Sequence, residues 1–356
     1  MKVSFLERLD VFLLIATLAL TGWGLFHLST ITTHYFIRQL WWTGLGICLL
    51  WVFSCFSSRL WERLSYPIYL VVFLSLILVL LVGTEINAAR RWISLGGVTF
   101  QPSEYAKIAL IFALARLLSS RSPIGWKKIF LSLFLTVVFG ILIAREPDLG
   151  GALLLLPIWV AILFLSGVSL KKLLPLLGGM ITFLPLSFFF LHPYQRRRIL
   201  TFITPQGDPL GSGWNIRQSE IALGSGRLLG RGMGGAAHTQ LKFLPNPFTD
   251  FIFSSMGEEW GFLGVLVVLG LYFVIIHRGL TLAREKGRSF PGLVAAGIVF
   301  VFFLQVLINV GVASGIMPVT GIPLPLISCG GNSTLLFLSA IGILLGLRKE
   351  GSGLNI

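Results

Sequence analysis

Three carboxylates lie close together in the apolar segment NPFTDFIFSSMGEEWG, residues 246–261. They are Asp250, Glu258 and Glu259, in a chain of 356 residues with only 14 acidic residues in all. A carboxylate held in such surroundings can accept the proton of a reacting hydroxyl group, which is the action of a general base. The cluster is therefore the first candidate for chemistry in this sequence.

Asp250 is the strongest candidate for that role. Pro247 stops any preceding helix, and Thr249 is a suitable N-cap for the apolar run that follows. This arrangement predicts Asp250 in the first turn of a new helix, where its charge faces the positive end of the helix dipole. Capping without chemistry is the alternative role. At least one of the two glutamates is predicted to pack inward as a structural hydrogen-bond partner.

A second candidate site lies in RRWISLGGVTFQPSEYAKIAL, residues 90–110. Pro102 is typical of the first turn of a helix, and Glu104 and Lys107 are three residues apart on that predicted helix. Residues at this spacing share a helix face and can pair, which lowers the cost of placing each charge among apolar residues. A functional ion pair and a purely structural one are both consistent with this pattern.

A third candidate lies in AREPDLGGALLLLP, residues 144–157, where Arg145, Glu146 and Asp148 interrupt an apolar stretch. Pro147 and the two glycines at 150–151 predict a break between two helices. Irregular backbone at membrane depth has to face protein or a water-filled cavity, which favours a functional site here. A simple turn at the outer surface is the alternative.

The glycine-rich run GSGRLLGRGMGG, residues 224–235, does not match the spacing of a phosphate-binding loop. No predicted strand precedes the run. It therefore predicts a mobile outer loop.

Composition places these groups in a membrane protein. The chain is 55% hydrophobic and only 12% charged, whereas soluble domains are about 25% charged. Apolar runs long enough to cross a bilayer predict an all-α integral membrane protein with about ten transmembrane helices, forming a single polytopic membrane domain over residues 1–356. The predicted spans are 10–28, 37–56, 66–83, 102–119, 129–146, 150–168, 172–192, 252–276, 290–312 and 331–347.

The distribution of basic residues predicts the orientation. Short connections rich in Lys and Arg alternate along the chain, and such loops stay on the cytoplasmic side. Both termini are then cytoplasmic, and residues 84–101 and the long loop at about 193–250 are outside. Basic residues outside or within the apolar layer indicate an anionic ligand at the outer face. Snorkelling to the interface is the alternative for Arg38 and the triplet at 196–198.

Taken together, these motifs resemble those of the SEDS family (shape, elongation, division and sporulation). The similarity covers most of the chain, from about residue 90 to residue 333, and Met317–Ser328 looks most like the RodA branch. The matching segments are RRWISLGGVTFQPSEYAKIAL, REPDLGGALLLLP, QSEIALGSGRLLGRG, QLKFLPNPFTDFIFSSMGEEWGFLG and MPVTGIPLPLISCGGNS. Two departures are Phe248, where the family commonly has His, and Cys329, where Tyr is common.

The resemblance implies a peptidoglycan glycosyltransferase that polymerises lipid II during cell elongation, in the bacterial cytoplasmic (inner) membrane with its active site on the outer face. Asp250 matches the family's essential aspartate, Asp148 matches the aspartate of its Pro-Asp-Leu-Gly motif, and Trp92, Glu104 and Lys107 match residues of its central cavity. The implied partners are lipid II, a class B penicillin-binding transpeptidase and the rod-complex proteins MreC, MreD and RodZ. No nucleic acid is expected.

The expected chemistry is an inverting displacement with Asp250 as general base. The leaving diphosphate needs positive charge, for which Lys107, Arg90 and Arg91 are the candidates. A divalent cation, Mg²⁺ or Mn²⁺, is a further option, with Asp148 or Glu104 as ligands, and no organic cofactor is expected. The alternative function is a flippase or transporter for the lipid-linked precursor, because buried charges and broken helices suit that class equally well.

Overall fold

The computed structural model of the chain describes residues 10–86, 89–95, 98–119, 123–187, 195–196, 200–202 and 212–349. Within these residues the chain forms twelve α-helices and three short strands. In chain order they are α1 (Val11–Ile31), α2 (Thr33–Ser54), α3 (Ser58–Val82), β1 (Thr84–Ile86), β2 (Ala89–Leu95), β3 (Val98–Phe100), α4 (Pro102–Leu118), α5 (Trp126–Arg145), α6 (Leu149–Leu165), α7 (Leu170–Ser187), α8 (Ser212–Ser225), α9 (Ala237–Gln240), α10 (Ile252–Lys286), α11 (Phe290–Ala313) and α12 (Gly331–Lys349).

Each predicted span overlaps one helix, α1–α7 or α10–α12, which confirms the all-α membrane architecture. Residues 188–192 of the seventh predicted span lie outside the described residues. Seven helices among the described residues are long and apolar enough to cross a membrane: α1, α2, α3, α5, α10, α11 and α12. Helices α4 and α6 have 17 residues each and are shorter than a typical span. The number of ten crossings therefore stays a prediction.

Helix α4 is buried in the bundle, and every residue from 106 to 115 is buried. Helices α2, α3 and α5 instead carry large apolar side chains that are exposed, such as Trp41, Leu81 and Phe134. Soluble proteins seldom expose apolar surface of this extent, and a bilayer would cover it. The arrangement places the Glu104–Lys107 helix inside the bundle rather than at its periphery.

A three-stranded antiparallel sheet, β1-β2-β3, occupies the connection between α3 and α4. Only an outer loop was predicted for this connection, because strands of 3 and 7 residues are too short for a clear alternating pattern. In β2 successive side chains point to opposite faces, so Arg91 lies on one face of the sheet and Arg90 and Trp92 on the other.

Helix α10 is broken at Gly261, whose backbone is left-handed with φ +65°. The glycine-rich run packs into this break through four backbone hydrogen bonds. They run from the N–H groups of Arg231 and Gly232 to the carbonyls of Glu258 and Glu259 (3.0 and 3.1 Å), and from those of Phe262 and Leu263 to the carbonyls of Arg227 and Leu228 (2.9 and 3.1 Å).

The close packing at this break requires glycine. A Cβ atom on Gly230 would lie 2.2 Å from the Glu259 carbonyl oxygen, and Gly230 itself has φ +82°. The prediction of a mobile outer loop is therefore wrong for residues 227–232, because the break in α10 provides donors and acceptors that this segment satisfies.

Candidate active site

Asp250 lies in a turn ahead of α10, not in its first helical turn. The N-cap of α10 is Phe251, which makes no side-chain capping hydrogen bond, so the prediction of Thr249 as N-cap is wrong. The turn is closed locally instead, because the N–H groups of Thr249 and Phe251 both donate to the carbonyl of Asn246, at 3.2 and 3.3 Å. This geometry sets the partly buried Asp250 just before the start of the helix.

Asn309 of α11 fixes this turn through side-chain hydrogen bonds. Its side-chain Nδ2 donates to the backbone carbonyl of Asp250 at 3.1 Å and to that of Ile322 at 2.9 Å. Asn309 is 1% exposed, and a buried amide among apolar neighbours is retained where it has such partners. Asn309 was not among the predicted site residues, although a lone Asn in the apolar run FFLQVLINVGV was a usable signal.

The connection between α11 and α12 holds the other side of the turn. The Ser328 hydroxyl donates to the Thr249 carbonyl at 2.8 Å, and the Cys329 N–H donates to the Phe248 carbonyl at 2.8 Å. The Phe248 ring stacks on Tyr35 of α2 with centroids 4.2 Å apart. Phe248, which stands where the family commonly has His, therefore packs as an aromatic side chain.

The predicted ion pair between Glu104 and Lys107 is present, with Lys107 Nζ 2.8 Å from Glu104 Oε2. Lys107 is only 2% exposed. The start of its helix is fixed by Asn332, whose Nδ2 donates to the Thr99 carbonyl at 2.9 Å and whose Oδ1 accepts from the Gln101 N–H at 3.3 Å. The stretch 328–332 thus contacts both the Asp250 turn and the start of the helix that carries the ion pair.

Arg91 joins the sheet to the turn between α5 and α6. Its Nε donates to the Glu146 carbonyl at 3.0 Å, the guanidinium also donates to the Pro147 carbonyl, and it lies 3.9 Å from Asp148 Oδ1. Asp148 caps α6 by accepting from the Gly151 N–H at 3.0 Å. The predicted break between two helices is confirmed, and much of the hydrogen-bonding capacity of Arg91 serves to hold it.

Arg90 and Trp92 lie on the opposite face of β2 from Arg91. Arg90 is exposed and its Nε is 3.6 Å from Glu85 Oε2, in a surface ion pair that contributes little to stability. Trp92 is half-buried, and its backbone carbonyl accepts from the Thr84 hydroxyl at 3.0 Å. The structure therefore groups Arg91 with Asp148 and separates Arg90 from both.

Glu258 and Glu259 serve the fold, as predicted for at least one of them. Glu258 accepts from the backbone N–H groups of His238 and Thr239 at 2.9 and 3.1 Å, which caps the short helix α9. Glu259 lies 2.7 Å from Nδ1 of the fully buried His27, and this contact ties α10 to α1. Of the three acids in the cluster, Asp250 is the one that stands ahead of the helix.

Glu146 is a buried acid in the turn between α5 and α6. Its backbone carbonyl accepts from the Arg91 Nε at 3.0 Å, so Glu146 takes part in the contact between the sheet and this turn.

The residues proposed as metal ligands do not form a ready cation site. No group of three or more His, Cys, Asp or Glu side chains suited to a metal ion occurs in the part of the chain that the structure describes. Glu104 is occupied by Lys107, and Asp148 by the Gly151 N–H and Arg91. We therefore derive no step through a metal ion held by these side chains.

Comparison with known proteins identifies the family. A family model for FtsW, RodA and SpoVE, described as cell cycle protein, matches residues 3–352. The peptidoglycan glycosyltransferase MrdB of Escherichia coli is 37% identical over 309 residues, which are 86% of this chain and 84% of that protein. A probable peptidoglycan glycosyltransferase FtsW of Coxiella burnetii is 36% identical over 363 residues, 96% of each chain.

Solved structures agree with this assignment. A chain from a peptidoglycan synthase complex that coordinates polymerization and crosslinking superposes with a TM-score of 0.83 at 34% identity, covering 97% of this chain and 98% of that one. The rod shape determining protein RodA of Thermus thermophilus superposes with a TM-score of 0.74 at 32% identity, covering 97% and 98%. The chain therefore belongs to the FtsW/RodA/SpoVE family of cell cycle proteins, as its motifs predicted.

Proposed function

We propose that this chain is a peptidoglycan glycosyltransferase that polymerises lipid II, with Asp250 as its general base. The observation that carries the proposal is that the stretch 328–332 holds both the Asp250 turn and the start of the helix that bears Glu104 and Lys107. The connection between α11 and α12 therefore fixes the Asp250 turn relative to the helix that carries the buried Lys107. The names of the relatives, which are 36–37% identical over most of the chain, support the same reaction.

The proposed reaction is a single in-line displacement at the anomeric carbon of the donor sugar. The acceptor hydroxyl oxygen attacks this carbon while its proton passes to the Asp250 carboxylate. The bond from the carbon to the diphosphate oxygen breaks, and its electron pair leaves with the polyprenyl diphosphate. The configuration inverts, so one base is sufficient and no covalent sugar–protein intermediate forms.

Lys107 is the candidate that stabilises the departing diphosphate. Its ammonium is 2% exposed, so a charge there is weakly screened and acts more strongly on a neighbouring anion than a surface lysine would. Glu104 pairs with Lys107 at 2.8 Å, which lowers the cost of burying the lysine side chain before the substrate arrives. Arg91 adds positive charge at the turn that carries Asp148, whereas Arg90 is on the other face of its strand and is a weaker candidate.

The reaction is proposed to take place on the outer face of the membrane, with both termini in the cytoplasm, and the distribution of basic residues supports this orientation. A class B penicillin-binding transpeptidase is the proposed partner. The similarity to a chain of a complex that coordinates polymerization and crosslinking supports it. MreC, MreD and RodZ are proposed as further partners on the resemblance to the RodA branch. A divalent cation would enter together with the diphosphate, since the described residues provide no ready cluster of ligands for it.

The decisive experiment supplies lipid II to the purified chain in detergent. A polymerase consumes the lipid there, whereas a flippase has no membrane to act across and leaves it unchanged.

A further inference from the structure

The turn at residues 227–231 presents two leucines between two arginines. Leu228 is 60% exposed and Leu229 is 74% exposed, and Arg227 and Arg231 are exposed on either side of them. An open cavity of about 540 Å³ is lined by residues 225–231. In water, two adjacent leucines exposed to this extent would be unfavourable, since each loses the gain of burying its side chain.

The apolar side of the turn continues the apolar surface of α10. The backbone hydrogen bonds that pin the turn end on Phe262 and Leu263, the first residues after the break at Gly261. Phe262 is 58% exposed and Leu266 is 52% exposed. Leu228 and Leu229 therefore lie beside the segment of α10 that starts after the break at Gly261. This helix is long and apolar enough to cross a membrane.

Aromatic residues mark the same level as a membrane interface. Trp260, next to the break, lies 5.4 Å from the Trp23 ring and 5.6 Å from the Phe26 ring of α1, measured between centroids. Phe26 is 45% exposed. Tryptophan is enriched at the boundary between lipid and water, so the turn at 227–231 sits where head groups would be.

The charged side of the turn is open to an anion. Within the described part of the chain, the Arg227 guanidinium makes no hydrogen bond or ion pair. The Arg231 Nε donates to the Ser225 carbonyl at 3.2 Å, which turns this side chain back along the cavity. The nearby carboxylates of Glu258 and Glu259 are buried and engaged with other groups. Among the described residues, no acid forms an ion pair with this surface of the turn, which therefore carries positive charge.

We propose that the 227–231 turn binds an anionic phospholipid of the bilayer. Arg227 and Arg231 hold the phosphate over the cavity, and the acyl chains follow Leu228, Leu229 and the exposed face of α10. This site is separate from the Asp250 turn, and it binds lipid whether or not the proposed glycosyl transfer takes place. It would fix the broken segment of α10 at the membrane surface.

The test measures phosphatidylglycerol binding to the purified full-length chain in detergent, by native mass spectrometry, with phosphatidylcholine as the neutral probe. In the double variant Arg227→Gln with Arg231→Gln, affinity for phosphatidylglycerol should fall about 30-fold, since each basic side chain near an anionic surface contributes about 1 kcal/mol. Binding of phosphatidylcholine should not change. The matched variant Arg227→Lys with Arg231→Lys keeps both charges and should retain most of the affinity.

Equal phosphatidylglycerol binding by the wild type and the glutamine variant would overturn the proposal, provided their thermal midpoints without lipid agree. If those midpoints differ, the comparison is made between the lysine and glutamine variants, and equal affinities there overturn it as well. A loss of polyprenyl diphosphate binding with unchanged phosphatidylglycerol binding would assign the turn to the substrate path and contradict it. Displacement of phosphatidylglycerol by equimolar inorganic phosphate would also contradict it, because the apolar contacts would then contribute nothing.

Discussion

Replacing Asp250 by asparagine should lower the rate of glycan synthesis by about 10²–10⁴-fold, the usual contribution of a general base. The change removes the basic carboxylate and keeps nearly the same shape. The fold should persist because the hydrogen bonds of Asn309, Ser328 and Cys329 to this turn engage its backbone carbonyls, which the substitution leaves in place. The measurement is polymer formation from lipid II by the purified variant, together with its thermal midpoint.

Glu285→Gln is the matched control for Asp250→Asn, since it removes one carboxylate at an exposed position near the C-terminal end of α10. Its glycan synthesis should equal that of the wild type. Polymers of normal length, made at a near-normal rate by the Asp250 variant, would show that another group is the base.

Lys107→Met should impair both stability and activity. The substitution leaves the Glu104 carboxylate in a mostly buried place without its partner at 2.8 Å, and removal of one member of a buried pair costs about 3–5 kcal/mol. Activity is lost in addition because the diphosphate loses the buried cation that is proposed to stabilise it. The measurements are the thermal midpoint and the rate of polymer formation.

The double variant Lys107→Met with Glu104→Gln separates these two effects. Removing the unpaired charge should return the thermal midpoint toward that of the wild type, while activity stays low. Full recovery of polymerisation in the double variant would mean that the ion pair is purely structural.

Features governed by local sequence were predictable. The helical positions followed from apolar runs, and the Glu104–Lys107 pair followed from a spacing of three residues on one helix. The break at Pro147 was evident because proline and glycine act on their own backbone. Each of these predictions depends on residues that are close together in the chain.

Features governed by distant contacts were missed. Thr249 had the right type for an N-cap, yet its turn is fixed by Asn309 and Ser328, which are 60–79 positions away in the sequence. The glycine-rich run looked like a mobile loop because its hydrogen-bond partners are carbonyl and N–H groups exposed only by the break at Gly261. A periodic pattern carries no information about such partners, so the architecture around Asp250 could not be derived from it.

The most direct test of the central claim is the consumption of lipid II by the purified chain in detergent, with its transpeptidase partner present and the partner's own active site blocked. Detergent removes the membrane, so transport alone cannot alter the substrate. We predict that lipid II disappears and long glycan strands form with the wild type, and that lipid II persists with Asp250→Asn. Intact lipid II and no glycan strands from wild-type protein shown to be folded would contradict the assignment of this chain as a polymerase.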